Sequence, residues 1–339
     1  VSRTVGIKEV ARAAGVSVGT VSNVINRPGM VAEETRLRVQ SAIARLGYVR
    51  SEAARHLRAG HSRIIGLLVL DMANPFFVDV ASGAERAARA AGLGVMLCNS
   101  AQNPAEEAEY LALFAEQRVR GVLVTPADTT GRNLAVFQRH GIPFVSVDRV
   151  VPSTQGCSVS VDDIEGAGLA VRHLLESGHR DLAYVSGPMQ LGQCRDRHTG
   201  ALRTLREAGP DAGLRHIEGE RMDVAAGRDA GARLLGMSPR PTAVFCANDL
   251  MALGVLQALY GAGVCVPDEV ALVGYDDIEF AAAAAVPLTS VRQPAHRMGR
   301  TAADLLIDET GQDAARHEHR RIVLRPELVV RASSLPGRA

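Results

Sequence analysis

The 339-residue sequence lacks any apolar run long enough to span a bilayer. Its longest runs, Ile64–Leu70 and Ala281–Leu288, fall far short of the ~20 residues that a spanning helix needs. It does not open with a basic segment followed by an apolar core, so export is not expected and a cytoplasmic location is. Its five cysteines (Cys98, Cys157, Cys194, Cys246, Cys265) form no CxxC pair and read as reduced thiols. GxSxG, HExxH and GxxxxGK[ST] motifs are missing. Gly166-Ala167-Gly168 fails as a dinucleotide fingerprint, because Val171 stands at the third glycine position. His317-Glu318-His319 has i, i+2 spacing amid Arg316, Arg320 and Arg321, and reads as a solvated loop rather than a metal site. No catalytic turnover, no metal and no cofactor are therefore expected. The C-terminal residues carry no leucine heptads, so no tetramerisation tail is expected.

What is present is a core-forming composition, 47% hydrophobic and 22% charged, with length for two or three domains. The net charge of +1 conceals an asymmetry. Residues 1–60 hold ten Lys/Arg and four acids, whereas the remaining 279 hold 28 basic and 33 acidic residues. A basic head on a mildly acidic body points to a polyanion contact made by the head, the alternative being a solvated helix surface.

The head has a legible plan. Ile7, Val10, Ala11 and Ala14 follow the spacing of one helix face. Gly15 supplies a left-handed stop and Ser17 a cap for a second helix, whose buried face is Val21, Val24 and Ile25. Two short helices joined by a glycine-containing turn make a helix-turn-helix. A third helix is predicted from Glu33 to Leu46, with Val39, Ile43 and Leu46 inward and Gly47 ending it. The second helix turns Val18, Gly19, Thr20, Ser22, Asn23 and Asn26 outward beside Ser17. Asn suits adenine and Val a thymine methyl in a major groove, while Thr20, Ser22 and Asn26 suit phosphates. A plain three-helix bundle is the competing reading.

Gly15-Val16-Ser17, Thr20-Val21-Ser22, Val24-Ile25-Asn26 and Leu46-Gly47-Tyr48 resemble the headpiece of the lactose/galactose-repressor (LacI/GalR) family of bacterial transcription regulators. Gly6 stands where the family usually has Thr at the helix start. The resemblance continues through Ala53-Ala54-Arg55 and Leu57-Arg58. It implies that residues 51–61 are a hinge helix formed on the operator, with Leu57 as a minor-groove wedge beside Ala53, Ala54 and Arg58. A solvated linker helix is the alternative.

Beyond Ser62, short β-rich runs (Ile64–Leu70, Gly94–Cys98, Gly121–Val124, Phe144–Val147, Ala183–Val185, Ala243–Cys246, Val270–Gly274) alternate with alanine-rich helical stretches. Alternating βα units imply parallel sheets, and two lobes fit the length better than one. The layout resembles the family's two-lobed periplasmic-binding-protein-like fold of two doubly wound parallel sheets with three crossovers, expected near Val161–Asp163, Val291–Gln293 and Arg321–Val323. The expected domains are an all-α helix-turn-helix headpiece (1–50), a hinge (51–61), an N-terminal lobe (62–161 and 293–320) and a C-terminal lobe (162–292 and 321–332).

A ligand of such a fold sits past the strand ends. The resemblance implies an effector pocket lined by Phe76, Phe77, Asp148, Arg197, Asn248 and Asp276. The residues themselves read Arg197 as beginning a helix and Asp249 as capping another. Carboxylates, an amide and a guanidinium beside aromatics match a hydroxylated ligand such as a sugar. No aromatic stands near Met222, where the family often has one. The expected protein is a homodimeric repressor of a pseudo-palindromic duplex operator, released or stabilised by a small effector. A purine-like or phosphorylated corepressor is the alternative effector. A transport-type solute-binding protein and a sugar-processing enzyme are the rival classes.

Overall fold

The computed structural model describes residues 5–48, 62–128, 130–311 and 314–335. The chain divides into two compact units, Val1–His61 and Ser62–Ala339. The hinge residues Ala53, Ala54, Leu57 and Arg58 lie outside the described residues. Among those described, no helix is long and apolar enough to cross a membrane.

The first unit contains α1 (Ile7–Ala14), α2 (Val18–Asn26) and α3 (Glu33–Leu46). They close on Val10, Ala11, Ala14, Val21, Val24, Val39 and Ala42. Gly15 adopts φ +65° and ends α1, and the Val16 N–H reaches back to the Ala11 carbonyl at 3.0 Å. The turn delivers Ser17 as N-cap of α2, its Oγ accepting from the Thr20 N–H at 3.0 Å. At Gly6 the missing cap side chain is offset from the other direction: Glu9 Oε2 accepts the Gly6 N–H at 2.6 Å, half of a capping box.

The second unit holds two six-stranded sheets. The first sheet takes β1 (Ile64–Val69), β2 (Gly94–Asn99), β3 (Val122–Val124), β4 (Phe144–Val147) and β5 (Cys157–Val161). Among them run α4 (Pro75–Ala90), α5 (Pro104–Glu116) and α6 (Ala135–His140). After Asp162 the chain enters the other lobe with α7 (Asp163–Glu176), β6 (Asp181–Ser186), α8 (Gly192–Ala208), β7 (Gly213–Glu218) and α9 (Val224–Leu235). It continues through β8 (Ala243–Cys246), α10 (Asp249–Gly261), β9 (Ala271–Asp276), α11 (Glu279–Ala283) and β10 (Thr289–Arg292). It then returns as α12 (Ala295–Glu309), which packs on α4. Next comes β11 (Arg321–Leu324), paired parallel to β5 in the first sheet, and then β12 (Glu327–Val329), antiparallel to β10 in the second.

This order corrects the third crossing. Residues Arg321–Leu324, expected in the C-terminal lobe, form the outer strand of the N-terminal one, because they register against Ser158–Val161. The chain changes lobes at Arg325-Pro326 instead, where a proline without an N–H cannot continue the ladder.

Three helix pairs approach so closely that glycine is required at the contact. A Cβ at Gly83 would lie 2.0 Å from the His296 carbonyl oxygen, and one at Gly299 would lie 1.9 Å from that of Val80, across α4 and α12. Gly200 of α8 stands in the same relation to Ile164 of α7 at 2.1 Å, and Gly254 of α10 to Val224 of α9 at 2.2 Å. The obstacles are backbone, so rotamer changes cannot relieve them. Gly299→Ala is expected to destabilise the protein by about 1–3 kcal/mol. Gly261→Ala, where a Cβ meets open space, should be near neutral. Denaturant midpoints of the two variants check the contrast.

Candidate functional site

The ends of the strands of both lobes converge on one cleft. It is lined by thirteen residues drawn from both lobes. All six residues expected there, Phe76, Phe77, Asp148, Arg197, Asn248 and Asp276, line it. Backbone geometry places the carboxylates: Asp148 follows β4 with φ +61° and Asp276 ends β9 with φ +103°. Both are buried. Asn74 caps α4 through its Oδ1 at the Phe76 N–H, 3.1 Å away, and so fixes the start of the helix carrying Phe76 and Phe77. The two rings meet edge to face at 4.9 Å.

Arg197 is the centre of the polar network. It lies in the second turn of α8, which begins at Gly192, rather than at a helix start. Its side chain is 2% exposed. Nε donates to Asp163 Oδ1 at 2.8 Å, Nη1 donates to the Ala247 carbonyl, and Asp276 Oδ1 stands 3.9 Å from Nη1. The guanidinium also lies 3.7 Å over the Tyr275 ring. Gly166, the failed fingerprint residue, makes room here: a Cβ on it would sit 2.2 Å from the Tyr275 hydroxyl.

Burial pushes the Asp148 carboxyl up to about 7, helped by the nearby Asp163 charge and resisted by Arg197 and the Gln193 amide. Burial likewise raises Asp276 to about 6, against Arg197 and the amides of Asn74 and Gln293. Each carboxylate is held by amides: Gln193 Nε2 donates to Asp148 Oδ2 at 2.8 Å, and Asn74 Nδ2 and Gln293 Nε2 donate to Asp276 at 2.8 and 2.7 Å.

Several of these bonds join the lobes. Asn74 to Asp276 and Gln193 to Asp148 cross the cleft, as does the Arg149–Asp196 ion pair at 2.9 Å. Gln102 adds another, accepting the Met222 N–H at 3.0 Å through Oε1 while its Nε2 donates to Asp71. Gln102, Gln193 and Gln293 escaped the sequence reading. A position just past a strand was the available signal for Gln102, whereas the strand before Gln293, β10, was not recognised. Gln193 had none, because the first turn of α8 was not recognised. Met222 does line the cleft, as an apolar wall.

Two expected roles change. Asn248, not Asp249, caps α10: its Oδ1 accepts the Met251 N–H at 2.9 Å and its Nδ2 donates to the Met222 carbonyl at 3.1 Å. Asp249 points into the protein, where it accepts from Ser290 Oγ at 2.6 Å and the Ile278 N–H at 2.9 Å. Burial there raises its carboxyl well above the ordinary range. His317 is not solvated as expected. Its side chain is 2% exposed and its Nε2 lies 3.2 Å from Cys157 Sγ.

On the first unit, Ser17, Val18, Gly19, Asn23 and Asn26 are exposed along α2, with Thr20 and Ser22 half-buried. The Thr20 hydroxyl pairs with Ser17 Oγ at 2.9 Å, and Asn26 Nδ2 donates to the Ser22 carbonyl at 2.7 Å.

Residues 6–51 match the model of bacterial regulatory proteins, lacI family, and residues 171–334 match a periplasmic binding protein-like domain. The "HTH-type transcriptional repressor PurR" of Photobacterium profundum is 36% identical over 96% of this chain and 98% of its own length. The chain belongs to the lacI family. As a member it is a DNA-binding transcriptional regulator with a two-lobed effector-binding module. Its fold is shared with a lac repressor dimer solved on operator with the anti-inducer ONPF, at TM-score 0.84 and 26% identity over 98% and 100% of the two chains. A transcriptional regulator CelR–cellobiose complex superposes at TM-score 0.73, with 32% identity over 97% and 100%.

Removing the central cation of this regulator's cleft strands Asp163 and leaves a cluster of buried acids. Arg197→Met is expected to cost about 3–5 kcal/mol at pH 8. The loss should shrink toward pH 5, where carboxyls at about 7 and about 6 take up protons and no longer need the guanidinium. Urea unfolding of both proteins at the two pH values checks size and sign.

Proposed function

We propose that this regulator is a repressor that reads a pseudo-palindromic operator as a homodimer, and that a small hydroxylated ligand, a sugar or sugar derivative, is its effector. The observation that carries the effector reading is a surplus of buried acceptors. Asp148 Oδ1, Gln193 Oε1 and Gln293 Oε1, all on cleft-lining residues, have no hydrogen-bond partner among the described residues. Buried acceptors without donors cost about 1–3 kcal/mol each, and ligand hydroxyls supply donors. In this reading Arg197 accommodates ligand oxygens, Phe76 and Phe77 offer an apolar face, and Asp148 and Asp276 take hydroxyl donors. Asn248, committed at both ends, shapes the wall. The chain acts by binding, without turnover.

Effector and interlobe bonds compete for the same groups. A ligand that recruits Asp148 or Asp276 changes what holds the lobes together, and the difference reaches the operator through residues 51–61. There Leu57 would be the minor-groove wedge, with Ala53, Ala54 and Arg58 beside it. A purine-like corepressor is the second reading, favoured by the aromatic ring faces of Phe76 and Phe77 in the cleft and by the relatives named PurR.

Thermal unfolding against sugars, sugar acids, polyols and purine bases decides between them. A ligand at 100 times its dissociation constant adds about 2.7 kcal/mol to stability. A sugar hit supports the first reading and a purine hit the second; no hit in either class overturns both. For a sugar, affinity should fall by roughly tenfold or more from pH 8 to pH 5, as protonation of Asp148 and Asp276 removes their charge and turns one oxygen of each from acceptor to donor.

On DNA, Val18 and Asn23 of α2 would read base edges, with Ser17, Gly19, Thr20, Ser22 and Asn26 against phosphates. Binding to a duplex selected from a random pool should weaken with log salt at a slope of several units. Asn23→Ala should lose about 1–3 kcal/mol on the selected site and nothing on random duplex. Equal loss on both would remove Asn23 from sequence readout.

A further inference from the structure

Away from the cleft, one thiol, two imidazoles and a carboxylate meet at the edge of the N-terminal lobe. Cys157 opens β5, Glu309 ends α12, and His317 and His319 lie on the segment leading into β11. Cys157 Sγ is 3.2 Å from His317 Nε2, and Glu309 Oε1 is 3.2 Å from His319 Nε2. One ligand atom from each of Cys157, Glu309 and His317 falls within 4.8 Å of the others.

The far side of each ring explains which atom faces inward. His319 Nδ1 lies 2.8 Å from the Ser153 carbonyl oxygen, and His317 Nδ1 lies 2.8 Å from Asp308 Oδ2. Those oxygens accept, so each Nδ1 carries a hydrogen and Nε2 is the ring atom that faces the cluster. A carboxylate or carbonyl behind each imidazole is the usual outer support of a metal-binding histidine. His319 Nε2 meets Glu309 Oε1 at 3.2 Å, and Glu309 Oε2, 3.9 Å from His317 Nε2, is buried with no hydrogen-bond partner among the described residues. The Arg320 backbone N–H, donating to Cys157 Sγ at 3.2 Å, is placed to stabilise a thiolate.

We infer that Cys157 Sγ, His317 Nε2 and Glu309 form a zinc(II) site, with His319 Nε2 holding the Glu309 carboxylate in place. Mixed thiolate, imidazole and carboxylate donors suit that borderline ion, and one thiolate with one carboxylate balances its charge. The ion pins the end of α12 and the entry to β11 onto β5, just before the chain's last passage between lobes. This site is independent of the effector reading.

The test uses the full-length protein, stripped with chelator and titrated with zinc chloride or cobalt(II) chloride alone. One equivalent of zinc per chain should bind and raise the melting temperature, and cobalt should show thiolate-to-metal charge-transfer absorption. Cys157→Ser should abolish that band. His319→Gln, at a partly exposed position that leaves the core intact, should weaken zinc binding by about tenfold or more. Cys265→Ser, at an exposed thiol elsewhere, should change neither. Absence of the cobalt band in the unmodified protein, its persistence in Cys157→Ser, or unchanged zinc affinity in His319→Gln would overturn the site.

Discussion

The buried Arg197 guanidinium is the constraint around which the effector module is organised. A cation removed from water must be matched by anions and acceptors, and here Asp163, Asp276 and the Ala247 carbonyl supply them. Those partners come from the first residue of α7, the end of β9 and the loop after β8, so the requirement draws separate strand ends of the C-terminal lobe to one point. Tyr275 gives its ring face and Gly166 withholds a side chain to make room. The result is a cleft floor preorganised before any ligand arrives.

On that floor polar side chains join the two lobes. Asn74, Gln102, Gln193 and Arg149 each span the gap to a partner on the other side. Such bonds are individually worth about 0.5–1.5 kcal/mol net. That scale matches the 1–3 kcal/mol typical of allosteric coupling, so a ligand that exchanges two or three of them suffices to shift the lobes. Within each lobe, by contrast, the glycine-mediated helix contacts are backbone against backbone and do not slide. Rigid lobes and an exchangeable polar joint together make a hinge.

The N-terminal lobe's edge shows the same logic at smaller scale. His317 and Cys157 are separated by 160 positions and meet only because β11 lies beside β5. The i, i+2 spacing of the two histidines suggested a loop. The strand pairing turns that loop inward and presents both rings to Glu309.

The headpiece was legible because its signals are local: three- and four-residue apolar periodicity, Gly15 at a left-handed turn and Ser17 at a cap all act within one or two helical turns. The alternation of strands and helices, and the placement of Asp148, Arg197 and Asp276 at one cleft, could be read for a related reason, since parallel βα units gather their strand ends on one side. Strands rich in serine and threonine, such as β5 and β10, were missed because their buried polar groups mimic loop composition. Tertiary structure alone decided that Asn248 rather than Asp249 is the cap, that Arg321–Leu324 belongs to the first sheet, and that three cleft acceptors remain without donors. Each outcome depends on partners distant in sequence, as with Asn74 and Asp276 at a separation of 202 residues. Hydrogen-bond satisfaction is settled only when such groups are brought together, and no local pattern encodes it.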